Sequence, residues 1–234
     1  MAKKKIKFFI PSARAGSYYL PVAQYVMKLA CDLECKNADQ LIWQQSYFEA
    51  PSEDYIWQSF VNEPSDIVCL SLYLWNNQLL HWLAKKIKKE YPNTLIIVGG
   101  PDIMWKTHED YVKAHPEFDY IVYGDGEEAF PKLMDSILTD NTSSIDLMNI
   151  PNLIFTSAAG KIIKTRYETY RNYIYKDHSA WLHSESDFRR DAKKLRDQNI
   201  HPAVAWESDR GCPYDCSFCD WSSGLHHKIT KKNV

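Results

Sequence analysis

The sequence predicts an α/β protein built around a parallel sheet, and three observations support this class. Short apolar runs recur along the first 140 residues, and most are followed by a segment whose apolar residues have helical spacing. The runs are continuous rather than alternating, which indicates strands buried on both faces. Glycine is scarce, with 8 residues in 234, yet Gly99, Gly100, Gly124 and Gly126 follow two of these runs directly. Ligands of such proteins bind where the strands end.

The elements follow one another in the order that this class requires. The first run ends at Pro11, as expected of a strand that cannot continue. Val22, Val26, Leu29 and Leu33 then recur at helical spacing and predict an amphipathic helix. A second helix is expected on Leu79, Leu83 and Ile87 and a third over 127–138. Strands are expected at 6–10, 41–43, 66–73, 94–98 and 120–123.

Five such units predict a doubly wound, flavodoxin- or Rossmann-like domain with a five-stranded parallel sheet, over residues 1–140. From about Asn141 the composition changes. Residues 141–200 are expected to hold a small hairpin (153–155 and 161–163) and an ordered linker with a short helix near Phe188, Ala192 and Leu195. A new strand at 203–207 opens the last part, 201–234.

Composition excludes several classes of protein. The 28 Lys and Arg residues nearly balance 30 Asp and Glu, so a broad nucleic-acid footprint is not expected. There is no apolar stretch long enough to span a membrane. The basic start, residues 1–10, has too short an apolar run before Pro11 for a signal peptide. These features favour a cytoplasmic globular protein.

Three of the six cysteines form a cluster with C-x3-C-x2-C spacing, Cys212, Cys216 and Cys219. In a reducing compartment clustered cysteines indicate metal ligands before disulfides. Three thiolates can hold one corner of a [4Fe–4S] cluster and leave one iron open to a substrate or cofactor. A structural zinc site that recruits His226 or His227 is one alternative. A redox-active Cys216-x-x-Cys219 pair is the other, although such motifs normally open a helix in a different βαβ context. Cys31, Cys35 and Cys69 are expected to be small buried residues.

The cysteine loop resembles that of the radical S-adenosylmethionine superfamily, over residues 207–219. The resemblance implies that Cys212, Cys216 and Cys219 hold a [4Fe–4S] cluster whose open iron binds S-adenosylmethionine, which is cleaved to a 5′-deoxyadenosyl radical. It places Phe218 near the adenine. The loop of that family follows the first strand of a barrel, which here corresponds to 203–207.

The preceding domain is similar to the cobalamin-binding domain of cobalamin-dependent radical S-adenosylmethionine enzymes. The matching segments follow the third, fourth and fifth expected strands. The cofactor-binding residues that the resemblance implies are Ser71, Tyr73, Trp75, Asn76, Gly99, Gly100, Pro101, Asp102, Tyr123, Gly124, Asp125, Gly126 and Glu127.

Each residue type has a physical reason to be at such a site. Glycine lets the backbone approach a flat macrocycle, and we assign the 124–126 loop to close packing because Glu127 and Glu128 would repel an anion. Ser71 and Asn76 offer neutral hydrogen bonds, while Tyr73 and Trp75 offer apolar walls or ordinary core packing. Residues 11–16 contain no histidine, so this loop supplies no cobalt ligand, and the lower face of cobalamin is expected to be open or water-bound.

The resemblance implies a parent enzyme that uses cobalamin, S-adenosylmethionine and a [4Fe–4S] cluster. Methylation of an unactivated carbon is the default reaction, in a family that also includes ring-forming and ring-contracting enzymes. The partners of the parent enzyme would be an unknown small-molecule or peptide substrate and a flavodoxin or ferredoxin as reductant, with no nucleic acid or membrane. The alternatives are a methylthiotransferase, which needs three further cysteines at strand ends, and a non-catalytic cofactor-binding fragment with a structural metal site. A (β/α) barrel needs 200 residues or more. We therefore expect a fragment or an interrupted gene, too short to catalyse alone.

Overall fold

A computed structural model describes residues 3–13, 18–168 and 178–205, with the backbone of 209–210 and 230–231. A seven-stranded sheet in the order β2-β1-β3-β4-β5-β6-β7 forms its centre. The first five strands along the chain are parallel. Their order, 2-1-3-4-5, is the flavodoxin order, and it confirms the predicted doubly wound fold. The strands are β1 (Lys4–Phe9), β2 (Leu41–Trp43), β3 (Ile67–Ser71), β4 (Leu95–Gly99), β5 (Tyr120–Val122), β6 (Leu153–Thr156) and β7 (Ile162–Lys164).

Helices cover both faces of this sheet. One face packs against α2, α3 and α4, and the other against α1 and α5. The predicted helices over 79–87 and 127–138 are present, whereas α2 and α4 have no counterpart in the sequence analysis. The bounds are α1 (Val22–Glu34), α2 (Glu53–Val61), α3 (Asn77–Glu90), α4 (Glu109–Ala114), α5 (Gly126–Leu138), α6 (Ser144–Leu147), α7 (Ala180–His183) and α8 (Glu185–Asp197). None of the described helices is long and apolar enough to cross a bilayer.

The hairpin β6–β7 extends the sheet beyond the five strands expected. It was predicted as a separate small unit, but β6 pairs antiparallel with β5 through Tyr120 to Phe155 and Val122 to Leu153. Leu153, Ile154 and Phe155 are all buried. The hairpin thus pairs with the edge of β5, which would otherwise be open. An open edge on an apolar strand leaves backbone N–H and C=O groups unpaired and can bind other chains.

The buried face of α1 differs from the predicted one. Leu29 is buried as expected, but Leu33 is 40% exposed, and Tyr25 is fully buried. The helix packs against α5 on one side and α7 on the other, so its buried region is wider than a single core-facing stripe. The spacing of the apolar residues predicted the helix correctly. The face that it predicted to be buried was wrong.

Residues 178–205 pack against the sheet domain. Ala192 and Leu195 of α8 join Tyr18, Tyr25 and Phe48 in a third apolar cluster, which confirms the predicted helix there. The Tyr25 hydroxyl donates to the Asp191 carboxylate at 2.7 Å, and both groups are buried. Beyond this segment, Asp209–Arg210 and Thr230–Lys231 pair as two short antiparallel strands.

Candidate functional site

The carboxyl edge of the sheet is the candidate site, and the strand order locates its centre. The order reverses between β1 and β3, so the loops that follow these strands diverge toward opposite faces. Such a switch point leaves a crevice in which ligands of doubly wound proteins bind. The loops after β3, β4 and β5, which carry the predicted cofactor-binding residues, all lie along this edge.

The loop after β3 is held in shape by Asn76. Its side-chain carbonyl accepts from the Tyr73 backbone N–H at 2.8 Å, and its amide nitrogen donates to the carbonyls of Ser71 (3.1 Å) and Pro11 (3.3 Å). The side chain is fully buried. Asn76 therefore ties the loop after β3 to the loop after β1. The sequence had suggested a different role, in which its amide is presented to a ligand.

The same loop presents apolar side chains to solvent. Tyr73 and Trp75 stack with ring centroids 4.5 Å apart and planes within 15°. Trp75 is 54% exposed and Leu74 is 87% exposed. Exposed apolar groups at a ligand-binding edge indicate a surface that something else covers. These rings form a wall beside the crevice, and core packing, the alternative for both aromatics, does not describe Trp75.

Ser71 and Gly100 lie together where the loops after β3 and β4 meet. A Cβ at Gly100 would lie 2.6 Å from the Leu72 carbonyl oxygen, 2.8 Å from the Leu72 nitrogen and 3.2 Å from the Ser71 hydroxyl. Gly100 has φ +101° and ψ 171°, a region essentially restricted to glycine. Glycine is therefore required here by the neighbouring backbone, and not only by the approach of a macrocycle that its sequence position predicts.

Asp102 fixes the 3-10 turn that Pro101 begins. Its buried carboxylate accepts from Lys106 Nζ at 2.6 Å and from the Asn77 amide at the start of α3. The backbone N–H of Asp102 donates to the Leu72 carbonyl at 3.2 Å. These bonds join the loop after β4 to the loop after β3, so Asp102 positions the edge of the crevice.

The loop after β5 is closed from behind by the hairpin. The Tyr123 hydroxyl donates to the Thr165 carbonyl at 2.6 Å, and its ring stacks on Tyr167. Gly124 has φ +75°, and a Cβ there would lie 3.0 Å from the Tyr167 ring. Asn152, itself at φ +57°, accepts the Tyr123 backbone N–H at 3.0 Å. Sequence reasoning missed Asn152, although an asparagine just before a strand is a signal for a left-handed turn.

The start of α5 carries the last of the predicted residues. Asp125 is the N-cap, and Gly126 begins the helix. A Cβ at Gly126 would approach the Met27 sulfur at 3.2 Å, so this glycine allows α5 to pack closely on α1. The Glu127 side chain is buried, and Glu128 pairs with Lys132 at 2.6 Å. Two acidic residues in the first turn make this end unfavourable for an anion.

The predicted cluster ligands Cys212, Cys216 and Cys219 and the aromatic Phe218 lie outside the described residues, as do Arg14 and Gly16 of the loop after β1. Of the strand predicted at 203–207, the structure describes residues 203–205, which form an isolated bridge at Ala203 instead of a strand, and residues 206–207 lie outside the described ranges. Ala203 forms a parallel bridge with Tyr19, donating to the Tyr18 carbonyl at 2.9 Å and accepting from the Leu20 N–H at 3.0 Å.

The other three cysteines are buried, as expected. Burial raises the pKa of the Cys31 and Cys69 thiols, and burial with the hydrogen bond to Asp135 raises the pKa of Cys35 to about 12. Thiols must ionise to bind metal. Within the described ranges these three do not form a metal-ligand group, which disfavours the methylthiotransferase alternative.

Comparison with known proteins agrees with this geometry. Residues 38–134, which include the loops after β3, β4 and β5, match the B12 binding domain family. The chain is 30% identical over 214 residues to the cobalamin-dependent radical SAM methyltransferase TokK of Streptomyces tokunonensis, a match that covers 91% of this chain and 30% of that protein. It is also 30% identical over 224 residues to the 2-(S-pantetheinyl)-carbapenam-3-carboxylate methyltransferase of Streptantibioticus cattleyicolor, covering 92% and 32%.

A solved structure has the same fold. The cobalamin-dependent S-adenosylmethionine radical enzyme OxsB, with aqua-cobalamin and S-adenosylmethionine bound, superimposes with a TM-score of 0.65 at 13% identity, over 98% of this chain and 30% of that one. The chain thus spans less than a third of the length of these relatives.

Proposed function

Since the chain is related to the cobalamin-dependent radical S-adenosylmethionine enzymes and contains a B12-binding domain, we propose that its crevice binds cobalamin as the cofactor-holding part of a methyltransferase. Cobalamin, when bound, supplies a carrier for a methyl group. The parent enzyme would use it to methylate an unactivated carbon of its substrate.

The observation that carries the proposal is the exposed apolar wall after β3. Leu74 and Trp75 project into solvent beside the strand-order switch, with Trp75 stacked on Tyr73. A corrin ring with its amide side chains would cover this apolar surface and exclude water from it. The residues present therefore fit a large, partly apolar cofactor.

Three of the other predicted residues support this wall rather than contact the cofactor. Asn76 and Asp102 hold the loops after β3 and β4 in register, and Gly100 lets them approach each other. Ser71, Gly99, Gly124 and Asp125 lie at the strand ends as candidate contacts. With no histidine in residues 11–16, that loop cannot ligate cobalt, and we expect water or an open position on the lower face.

The second part of the proposal concerns the cysteine loop. The C-x3-C-x2-C spacing supports a [4Fe–4S] cluster on Cys212, Cys216 and Cys219 that binds S-adenosylmethionine, with Phe218 beside the adenine. A flavodoxin or ferredoxin would supply the electron. Because the relatives are about three times longer, catalysis is proposed for the longer parent protein.

Binding of hydroxocobalamin to the chain tests the cobalamin proposal. Trp75→Ala removes the exposed ring, and we expect about tenfold weaker binding because roughly 50 Å² of apolar contact is worth about 1.4 kcal/mol. Tyr55→Ala is the matched control, since Tyr55 is an exposed aromatic on α2, 69% exposed against 54% for Trp75. Absorbance titration after gel filtration measures both affinities. A chain that retains no cobalamin, or equal affinities for the two variants, would contradict the proposal.

A further inference from the structure

Three potential metal ligands converge on the sheet face that carries α2, α3 and α4. His81 lies on α3, His115 follows the last residue of α4, and Glu117 lies in the loop before β5. One ligand atom from each lies within 4.8 Å of the others. In the described part of the chain this is the single group of its kind, and it is separate from the cysteine loop.

His115 and Glu117 already have the spacing of two ligands on one ion. Nδ1 of His115 lies 3.0 Å from Oε1 of Glu117, and the Glu117 side chain is only 5% exposed. Two atoms bound tetrahedrally to zinc, each about 2.0 to 2.1 Å from the metal, are separated by about 3.3 Å. A buried carboxylate requires a compensating cation or hydrogen bonds, and His115 Nδ1 lies within hydrogen-bond distance of the Glu117 carboxylate.

His81 supplies an independent observation. Its Nε2 lies 3.1 Å from the Tyr111 hydroxyl. Its Nδ1 is buried, and no hydrogen-bond partner for it occurs among the described residues. A buried ring nitrogen without a partner is costly. Metal-bound histidines normally use one nitrogen for the metal and the other for an orienting hydrogen bond, which is the division seen here.

The surroundings restrict how these groups can move. The His81 and His115 rings stack with centroids 4.2 Å apart and planes within 14°, and Phe118 packs against both. The nitrogen lone pairs of two parallel, stacked imidazole rings cannot point at the same ion. Coordination of one ion by His81 and His115 therefore requires the two rings to rotate out of their parallel arrangement. Lys106, the nearby cation of the loop after β4, is neutralised by Asp102 at 2.6 Å.

We propose that Nδ1 of His81, a ring nitrogen of His115 and a carboxylate oxygen of Glu117 bind one divalent transition-metal ion of the zinc type. Two imidazoles and a carboxylate suit zinc, and three protein ligands leave a fourth position for water. The ion would join α3 to the segment between α4 and β5. Tyr111 is a positioning residue that orients His81.

Zinc titration of the chain with Cys212, Cys216 and Cys219 replaced by serine tests this site without competition from the cysteine loop. Calorimetry is expected to give one equivalent per chain. Glu117→Gln and His81→Asn should each weaken binding at least about 100-fold, because loss of an orienting partner alone costs 10- to 100-fold. Tyr111→Phe should therefore weaken it about tenfold.

His201→Asn is the matched control, because His201 is an exposed histidine outside the cluster. The zinc affinity of this variant should equal that of the chain that carries only the three cysteine substitutions. Cobalt in place of zinc should give the visible d–d absorption of a nitrogen and oxygen site without thiolate charge-transfer bands. If Glu117→Gln fails to fold, His81→Asn and Tyr111→Phe decide the question. Absence of any zinc site, or a site that these substitutions leave unchanged, overturns the proposal. Neither result bears on cobalamin binding.

Discussion

At the scale of single residues, several side chains at the crevice hold backbone in place. The glycines at the ends of β4 and β5 and the polar residues after β3 could be selected from the sequence because they follow apolar runs. Their roles could not, because these depend on how closely neighbouring loops approach. Gly100 lies against the backbone of Leu72, and the Asn76 amide donates hydrogen bonds to the carbonyls of Ser71 and Pro11.

Gly100→Ala should lower the free energy of unfolding by about 3 kcal/mol or more, since it adds backbone strain and a clash with Leu72. Gly160→Ala separates the two causes: Gly160 has φ +75°, but no atom lies within 4 Å of the point that its Cβ would occupy. That variant should lose only about 1 to 2 kcal/mol. Urea unfolding of both variants measures the difference. Equal losses would show that the contact with Leu72 contributes nothing.

At the scale of elements, the apolar runs predicted all five parallel strands. Burial on both faces gives β3 its continuous apolar run, whereas the edge strand β2, where Ile42 is 41% exposed, gives a weaker pattern. The hairpin was also visible, but its pairing with β5 was not, since a strand's partner depends on distant residues. The orientation of α1 escaped prediction for a similar reason: contacts with α5 and α7 bury two sides of it. The end of α1 illustrates such a contact, because Asp135 of α5 accepts hydrogen bonds from Cys35, Lys36 and Asn37.

This junction predicts a pH dependence. Burial alone would raise the pKa of Asp135, but the N–H of Lys36 and the bonds from Cys35 and Asn37 outweigh it and hold the pKa below its usual value. The folded-state pKa is depressed, so the stabilisation is complete above the unfolded value of about 3.9 and is lost as pH falls through the folded value.

Asp135→Asn should therefore cost about 1 kcal/mol at pH 7, the difference between a charged and a neutral acceptor, and should flatten the acid limb of a stability–pH curve. Asp197→Asn is the control, since Asp197 pairs with Lys193 at the surface and should change stability by less than about 0.5 kcal/mol. Chemical unfolding between about pH 2 and about pH 7 measures both curves, at about one-unit intervals, so that the range covers the loss of stability below the unfolded pKa. If the stability of Asp135→Asn falls at low pH as steeply as that of the unsubstituted protein, Asp135 is not the group responsible for the acid limb.

At the scale of the whole molecule, residues 178–205 share a core with the sheet domain. The apolar spacing predicted the helix near Ala192 and Leu195. The polar composition of the segment, however, led to the prediction of a linker. Its few apolar residues fill one cluster with Tyr18, Tyr25 and Phe48. We infer that this segment and the sheet unfold together.

Leu195→Ala tests that inference, because Leu195 is fully buried on α8. It should destabilise the chain by about 2 to 5 kcal/mol and lower hydrogen-exchange protection in β1 and β3 as well as in α8. Leu182→Ala, at a site 76% exposed on α7, should change stability by less than about 0.5 kcal/mol. If protection falls in α8 alone, the segment is an independent unit.

The bridge between Tyr19 and Ala203 also sets a limit on distance. Cys212 follows Ala203 by nine residues, and a fully extended chain spans at most about 3.3 to 3.6 Å per residue. The first cysteine of the loop therefore cannot lie farther than about 32 Å from Ala203. The covalent chain acts as a short tether, so a cluster held by these cysteines would stay within about one domain's width of the segment that precedes α1.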